Sequence, residues 1–526
     1  MAASVIEDRR SMDAMKQTHG VADGSAGPSK GPVSPSTDST TSKTSSFYDL
    51  PPEIIALIAI KLENQTDSLK ALRSVNKTCA AICTGPLFKE VELRINKKNM
   101  RRVKRIMTSP VISRAVTHVV INTAEYAKRN MCTIGWNDRD EELPKSFNQH
   151  LTMIGSFPNL NSVYWKFSRA CVGPSPRRDW WASQIPESPG FRTDVLRSLL
   201  RGLNDSEKPT RNFRSLRVQN LQDWTDETFV KSEDFRSVME RINRLDLLVA
   251  IEEDEDSPLV FMEKKELHEF FNTQLPRDWL APYVSNLTHL KLNARQYHWG
   301  HIPKCVLPHF PALKSLSLGR MSLAHDSQLQ WILSHADTLE ELVLDRCPIV
   351  IGTAWYGALD AEGSPIDTTK VISTRSPSTA YYAGRWHDHL RAFRLHLTRL
   401  RVVDCGLIDV ERENAPVSTK YSLQGPRLWG RRYVVFDTCK LNIPPIIEVN
   451  VQGEVVEKGA YFGDWTGIPP YPLDSIIEDL TELIKLREVV SARVGVVDKG
   501  LAELRKMVEV IRAREAEMEE PNEVIP

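Results

Sequence analysis

The chain has no long hydrophobic run, no excess charge of either sign and no paired-cysteine motif, and each absence removes a class of function. The longest strongly apolar run, Ile54 to Ile60, is seven residues, where a membrane-spanning helix needs about 20. Residues 1–46 contain no signal-peptide core. A soluble protein of the cytoplasm, the nucleus or both is expected. Lys+Arg and Asp+Glu both total 68, so no global field draws the chain to nucleic acid or to anionic lipid, and a partner must be recognised locally. The eight cysteines of the 526 residues include no CxxC pair, which argues against a disulfide framework or a zinc ribbon.

Chemistry-bearing motifs are equally scarce. There is no G-x-x-x-x-G-K-[ST], no G-x-G-x-x-G and no G-x-S-x-G, so phosphate-cradling loops and nucleophile elbows are missing. His268-Glu269 begins like a zinc-protease helix, but Asn272 stands where the second histidine is required. His298, His301, Cys305 and His309, and separately His387 and His389, are the ligand-rich spots, without a second pair at metal-site spacing. Neither an enzyme, a metal nor a cofactor is expected.

What is present is enough apolar sequence, 41%, for a large core. Residues 20–46 are nearly all Gly, Pro, Ser, Thr, Ala and scattered charge, so residues 1–46 are read as a disordered tail. A second such stretch, about 360–380, reads as a surface loop. From Tyr48 the pattern turns helical. Pro51 and Pro52 suit a first helical turn, with Ile54, Ile58 and Leu62 at spacing four. Asp67 can cap a second helix carrying Leu69, Leu72 and Val75, and a third helix, Asn76 to Thr84, is expected to stop at Gly85-Pro86.

The order Leu50-Pro51-x-Glu53-Ile54-Ile55-x-x-Ile58-x-x-x-Leu62, Leu69-x-x-Leu72-x-x-Val75, Leu87-Phe88-x-x-Val91 resembles an F-box over roughly residues 47–92. The resemblance implies docking on a Skp-type adaptor and, through it, a cullin. Its adaptor-facing positions fall on Leu50, Pro51, Ile54, Ile55, Ile58, Leu62, Leu69, Leu72 and Val75. One departure is that many F-boxes carry a Trp just beyond the last of these, where this chain has Asn76-Lys77-Thr78-Cys79. The other reading of these helices is that they cap the domain that follows.

Internal repetition is the strongest physical signal. Leu287-x-x-Leu290-x-Leu292, Leu313-x-x-Leu316-x-Leu318 and Leu339-x-x-Leu342-x-Leu344 recur every 26 residues, inside the 20–29 residue period of leucine-rich repeats. Looser copies start at Val116, Leu160, Phe213, Ile242 and Leu397. The fold class expected is α/β, a leucine-rich-repeat-like solenoid with a curved parallel sheet and helices, preceded by a small three-helix module. Boundaries are expected at 1–46 for the tail, 47–110 for the F-box-like helices and 111–425 for the repeats. A β-hairpin extension over 426–470 and helices over 471–526 that seal the solenoid complete the chain.

F-box and leucine-rich repeats together are the layout of one class of substrate-recognition subunits of Skp, cullin and F-box ubiquitin ligases, which hold an adaptor and a client protein and leave catalysis to other subunits. The alternative is a leucine-rich-repeat scaffold with no ligase connection. Strand alternation aims His289, Lys291, Asn293, Ser315, Ser317, Gly319, Glu341, Val343 and Asp345 at the concave face, with Arg399, Arg401 and Val403 on the looser copy. That row of mixed charge favours a protein client over nucleic acid. The competing expectation is that clients are held by insertions around Trp180 or Trp386. The basic cluster Lys97 to Arg105 reads as a solvated helix face or an import signal.

Overall fold

The computed structural model describes residues 50–124, 144–169, 187–205, 210–224, 226–250, 270–295, 298–301, 304–355, 357–364, 378–406, 433–437, 448–449, 455–457, 473–498 and 500–519. Two units are distinguished, Met1–Pro51 and Pro52–Pro526. Of the first, Leu50 and Pro51 are described; the expectations for the tail and for Trp180 lie outside the described residues.

The second unit is built on a nine-stranded parallel sheet. Its strands are β1 (Glu90–Arg94), β2 (His118–Asn122), β3 (Ser162–Lys166), β4 (Ser215–Gln222), β5 (Arg244–Ala250), β6 (His289–Ala294), β7 (Ser315–Gly319), β8 (Glu341–Asp345) and β11 (Val402–Gly406). Each of these lies beside its sequence neighbours, in the order β1 to β8 and then β11. Every pairing is parallel.

The register explains the sequence pattern. In each strand the second and fourth residues are the last two apolar positions of the repeat: Leu290 pairs with Leu316 and Leu316 with Leu342, while Leu292, Leu318 and Leu344 form the adjacent row. The first apolar residue of the copy, Val116, Leu160, Phe213, Leu287 or Leu400, sits just before the strand and is fully buried. A backbone ladder ties these approaches together. The amides of Asn161, Arg214, Asn243, Thr288, Lys314, Glu340 and Arg401 donate in turn to the carbonyls of Thr117, Asn161, Arg214, Asn243, Thr288, Lys314 and Glu340. One turn is thus reused from copy to copy, even where the spacing in sequence varies.

Two copies differ from the expected register. The ninth strand pairs Val403 with Leu342 and Cys405 with Leu344, so its repeat is Leu400-x-x-Val403-x-Cys405. Reading it from Leu397 slips it by three residues. At the other end Phe88-x-x-Val91-x-Leu93 is a copy in its own right. Val91 and Leu93 pair with Val119 and Ile121, and Phe88 packs on the same core.

Helix α4 (Lys97–Thr108), whose N-cap Asn96 accepts from the Asn99 amide, buries Met100, Val103, Ile106 and Met107 in the core cluster that continues through all nine strands. Helix α4 lies within the span 47–110 expected for the F-box-like helices and packs with the sheet. Lys97, Lys98, Arg101, Arg102, Lys104 and Arg105 occupy the solvent side of α4. A run wound into a packed helix is not offered as an extended peptide.

Three helices precede the sheet: α1 (Pro52–Lys61), α2 (Thr66–Arg73) and α3 (Lys77–Phe88). Asp67 lies in the first turn of α2 and not at its cap. Asn76 caps α3 by accepting from the Cys79 amide at 2.7 Å. This helix runs through Gly85-Pro86 instead of stopping there, because a proline so near the C-terminus forfeits only one intrahelical hydrogen bond and the continuation seats Phe88 on the sheet's core.

Between strands lie α5 (Pro110–Ala115), α6 (Lys145–Thr152), α7 (Pro189–Leu203), α8 (Glu227–Val230), α9 (Glu233–Met239), a π-helical segment (Phe270–Leu280), α10 (Asp326–Leu333) and α11 (Trp386–His396). A second, three-stranded sheet joins β9 (Ile349–Trp355) to β10 (Ser378–Tyr381) and β12 (Tyr433–Asp437). Glu448–Val449 (β13) and Val455–Glu457 (β14) form the short antiparallel hairpin. The last helices, α12 (Leu473–Val494) and α13 (Gly500–Glu519), bury Leu480, Leu483, Leu486, Leu504 and Ile511 in the main core. The Arg493 guanidinium donates to the carbonyls of Leu397 and Leu400 ahead of β11, which fixes α12 to the end of the sheet.

Candidate functional sites

Helix α1 is apolar on two sides. Ile55 and Ala59 point inward and are buried, and together with Leu69, Leu72, Cys79 and Cys83 they form the small interior of the three helices. At 100° per residue, Ile54, Leu57 and Ile60 fall on the opposite side. There Ile54 is 41%, Leu57 59% and Ile60 57% exposed; Val75, which follows α2, is 38% exposed. An exposed group of large apolar side chains is informative where single ones are not.

The nine adaptor-facing positions therefore divide. Ile54 and Val75 are exposed, Ile58 and Leu62 half-buried, and Leu50 and Pro51 belong to the other unit. Ile55, Leu69 and Leu72 are spent on the module's own interior and do not face a partner. Leu57 and Ile60 were not among the expected positions; continuing the spacing of Ile54 along the helix would have found them.

The open face of the sheet is formed by the first, third and fifth residue of each strand. In its N-terminal half it is a connected polar surface. Arg217 and Lys166 both lie over the Tyr164 ring, at 4.1 and 4.6 Å from its centroid, and Arg217 pairs with Asp246 at 3.0 Å. Glu92 pairs with Arg94 at 2.6 Å and accepts from Asn122 at 2.9 Å. Burial alone would raise the Glu92 carboxyl, but the hydrogen bonds from Arg94 and Asn122 outweigh it and hold the group below its ordinary value.

Lys291 lies beside Asp246 in register, and His289 beside Arg244 and Ser315. Burial holds His289 below the usual imidazole value. Toward β8 the face is closed: Asn293, Ser317, Val343 and Asp345 are buried, as is Gly319. Asn293 fills the space in which a Cβ on Gly319 would stand, at 2.2 Å from that position. Those five expected client positions are covered. Val403 is a core residue, while Arg399 and Arg401 are exposed but precede β11. His289, Lys291, Ser315 and Glu341 remain half-exposed. The residues missed are Tyr164, Lys166, Arg217 and Asp246, which the same alternation applied to the looser copies would have supplied, and Glu92, which lies on the copy that begins at Phe88.

The ligand-rich spots are otherwise engaged. His301 meets Thr353 Oγ1 at 2.8 Å, Cys305 Sγ donates to the Phe271 carbonyl at 2.9 Å and His309 stacks on His335. His387 Nδ1 lies 3.2 Å from Asp479, and that contact raises its pKa. Trp386 is fully buried, which removes it as a client anchor. No model of a known protein family matches the chain, and no curated protein matches it.

Proposed function

We propose that the chain is a non-catalytic substrate receptor of a Skp, cullin and F-box type ubiquitin ligase, with helices α1 to α3 acting as an F-box and the strands as a leucine-rich-repeat-like solenoid. The observation that carries the reading is the outer side of α1: Ile54, Leu57 and Ile60 are large, apolar and exposed on a helix already packed by its other side. The sequential parallel strands and their shared backbone ladder support the solenoid reading, since each repeat then touches only its neighbours. Holding adaptor and client on one chain raises the client's local concentration, so modest client affinity suffices.

The second reading, a leucine-rich-repeat scaffold with no ligase connection, is favoured by the inward turn of Ile55, Leu69 and Leu72 and by Phe88, which joins the module to the core of the sheet. Capture of a Skp-type adaptor by the purified chain separates the two. Capture that is lost on replacing Ile54, Leu57 and Ile60 by Ser supports the receptor; no capture by the parent chain favours the scaffold.

The client surface follows from the part of the face left open. Lys291→Glu and Glu341→Lys change half-exposed side chains on β6 and β8 without touching the leucine rows. Each is expected to weaken client binding about tenfold or more, as loss of a paired interface charge does, with thermal midpoints within a few degrees of the parent. Clients recovered by proximity labelling that bind both variants at parental affinity would move the site to the loops.

A further inference from the structure

Helix α4 presents charge of one sign to solvent. Lys97, Lys98, Arg101, Arg102, Lys104 and Arg105 are all exposed, and at 100° per residue they fall within an arc of about 160°, opposite Met100, Val103, Ile106 and Met107. None of the six forms an ion pair with a described residue. In a chain whose charges balance at 68 each, residues 93–124 hold eight Lys and Arg and no Asp or Glu. Helices α5 and α6, which pack against α4, add Arg114 and Lys145 and no carboxylate. Glu90 and Glu92 of β1 lie on the open face of the sheet, away from α4, and Glu92 is taken by Arg94.

This arrangement works against the helix. Arg101 stands three or four residues from Lys97, Lys98, Lys104 and Arg105, spacings at which like charges repel, and Lys97 and Lys98 occupy the first turn, where the helix end is already positive. A polyanion laid along the outer side removes the repulsion. The face also lacks what other partners require. No aromatic or apolar side chain lies within the arc, so a protein partner would find no buried anchor and a lipid surface nothing to draw toward its acyl chains. The same lack of aromatics leaves single-stranded nucleic acid no ring on which to stack a base. The side-chain amides of Asn96 and Asn99 are engaged with backbone groups of Asn99, Arg94 and Glu92. What faces outward is three lysines and three arginines, the groups that suit phosphate.

We infer that the outer face of α4 binds the phosphate backbone of duplex DNA, without selecting its sequence. The major groove of B-form DNA, about 12 Å wide, admits a helix of about 10–12 Å diameter. The arc carries cations at both its edges, Lys97 and Lys104 on one and Lys98 and Arg102 on the other, to meet the phosphates of both strands. The deep, narrow major groove of A-form RNA admits no such element. This surface is separate from the outer side of α1 and from the open face of the sheet, and the inference holds whether or not the chain is a ligase receptor.

The test is fluorescence anisotropy of a labelled 20-base-pair DNA duplex titrated with the full chain at 50, 100 and 200 mM KCl. Micromolar dissociation is expected at 50 mM, with log K falling against log salt at a slope of about −3.5 to −5.5, as four to six neutralised phosphates require. Arg101→Gln with Arg105→Gln should flatten the slope by about two and lower affinity at 100 mM at least tenfold, while melting at or above the parental midpoint because it relieves repulsion. Arg101→Lys with Arg105→Lys keeps the charges and should bind within about threefold of the parent. Lys231→Gln with Arg236→Gln, which removes two cations already paired with Glu227 and Glu233, should leave binding unchanged. No anisotropy change up to 50 µM chain at 50 mM KCl overturns the inference. So does a slope unaltered in the Arg101 and Arg105 Gln variant, or an equal loss in the Lys231 and Arg236 variant. Tighter binding of an RNA duplex, of single-stranded DNA or of phosphatidylserine vesicles at equal anionic charge overturns it as well.

Discussion

A chain beginning at Val111 is expected to aggregate or melt without cooperativity under conditions where a chain beginning at Phe88 unfolds in one sharp transition. The cause is the first repeat. Strand β1 covers the edge of β2, and α4 covers the interior beside it with Met100, Val103, Ile106 and Met107. Fully burying a side chain of that size is worth about 1.5–3 kcal/mol. Removing the layer bares Val116, Val119, Ile121 and Leu151, all now buried, so the cost is on the order of the whole net stability of a domain, about 5–15 kcal/mol. It also leaves an open sheet edge, which invites pairing with a second chain. Far-UV dichroism melts and light scattering of the two fragments check this. A cooperative melt of the Val111 fragment at the parental midpoint would contradict the assignment of Phe88 to Leu93 as a repeat.

Acidification should destabilise the fold well before the carboxylates titrate. His301 is buried between Thr353, to which its Nε2 lies at 2.8 Å, and the His325 ring, 5.4 Å away. Burial first, and His325 second, push its pKa down to about 3. The unfolded chain takes up this proton near pH 6.5 and the folded chain does not. The stability is therefore fully present above pH 6.5 and is lost as pH falls toward 3, at about 1.4 kcal/mol per unit. At pH 5 His301 alone accounts for about 2 kcal/mol.

Burial also lowers His118, His289, His325, His335 and His389, which act in the same direction. His387, raised by Asp479, and Asp404 and Glu187, raised by burial, act in the opposite one. Comparing parent with His301→Gln isolates the effect. The midpoint difference between pH 7.5 and pH 5 should shrink by several degrees in the variant, and an identical pH dependence in both chains would count against a neutral, buried His301.

The sheet was legible because each strand needs one apolar residue before it and two within it, and Leu287 to Leu344 repeat that triad at constant spacing. Where the triad is ambiguous the reading slipped. Leu397, Leu400 and Val402 satisfy the pattern as well as Leu400, Val403 and Cys405 do, and only the pairing of Val403 with Leu342 decides between them. Phe88 to Leu93 was hidden for another reason: Leu87-Phe88 also closes the helical motif, and one pair of residues cannot announce two roles.

The open face was half legible. Alternation tells which way Ser317, Val343 and Asp345 point but not that they are buried. In the same way Ile54, Ile55, Leu57, Ile58, Ile60 and Leu62 announce a helix apolar over more than half its circumference, while only packing assigns Ile55 inward and Leu57 outward. The π-helical segment Phe270–Leu280 left no mark in the sequence, since a segment of that kind carrying Pro276 has no periodic signature to read.

The most direct test of the receptor reading is the mass, by light scattering after gel filtration, of the full chain mixed at micromolar concentration with a purified Skp-type adaptor. A complex with one adaptor per chain that disappears when Ile54, Leu57 and Ile60 are replaced together by Ser, while the variant keeps the parental melt, is the result predicted. Two separate peaks for the parent chain and the adaptor would contradict it.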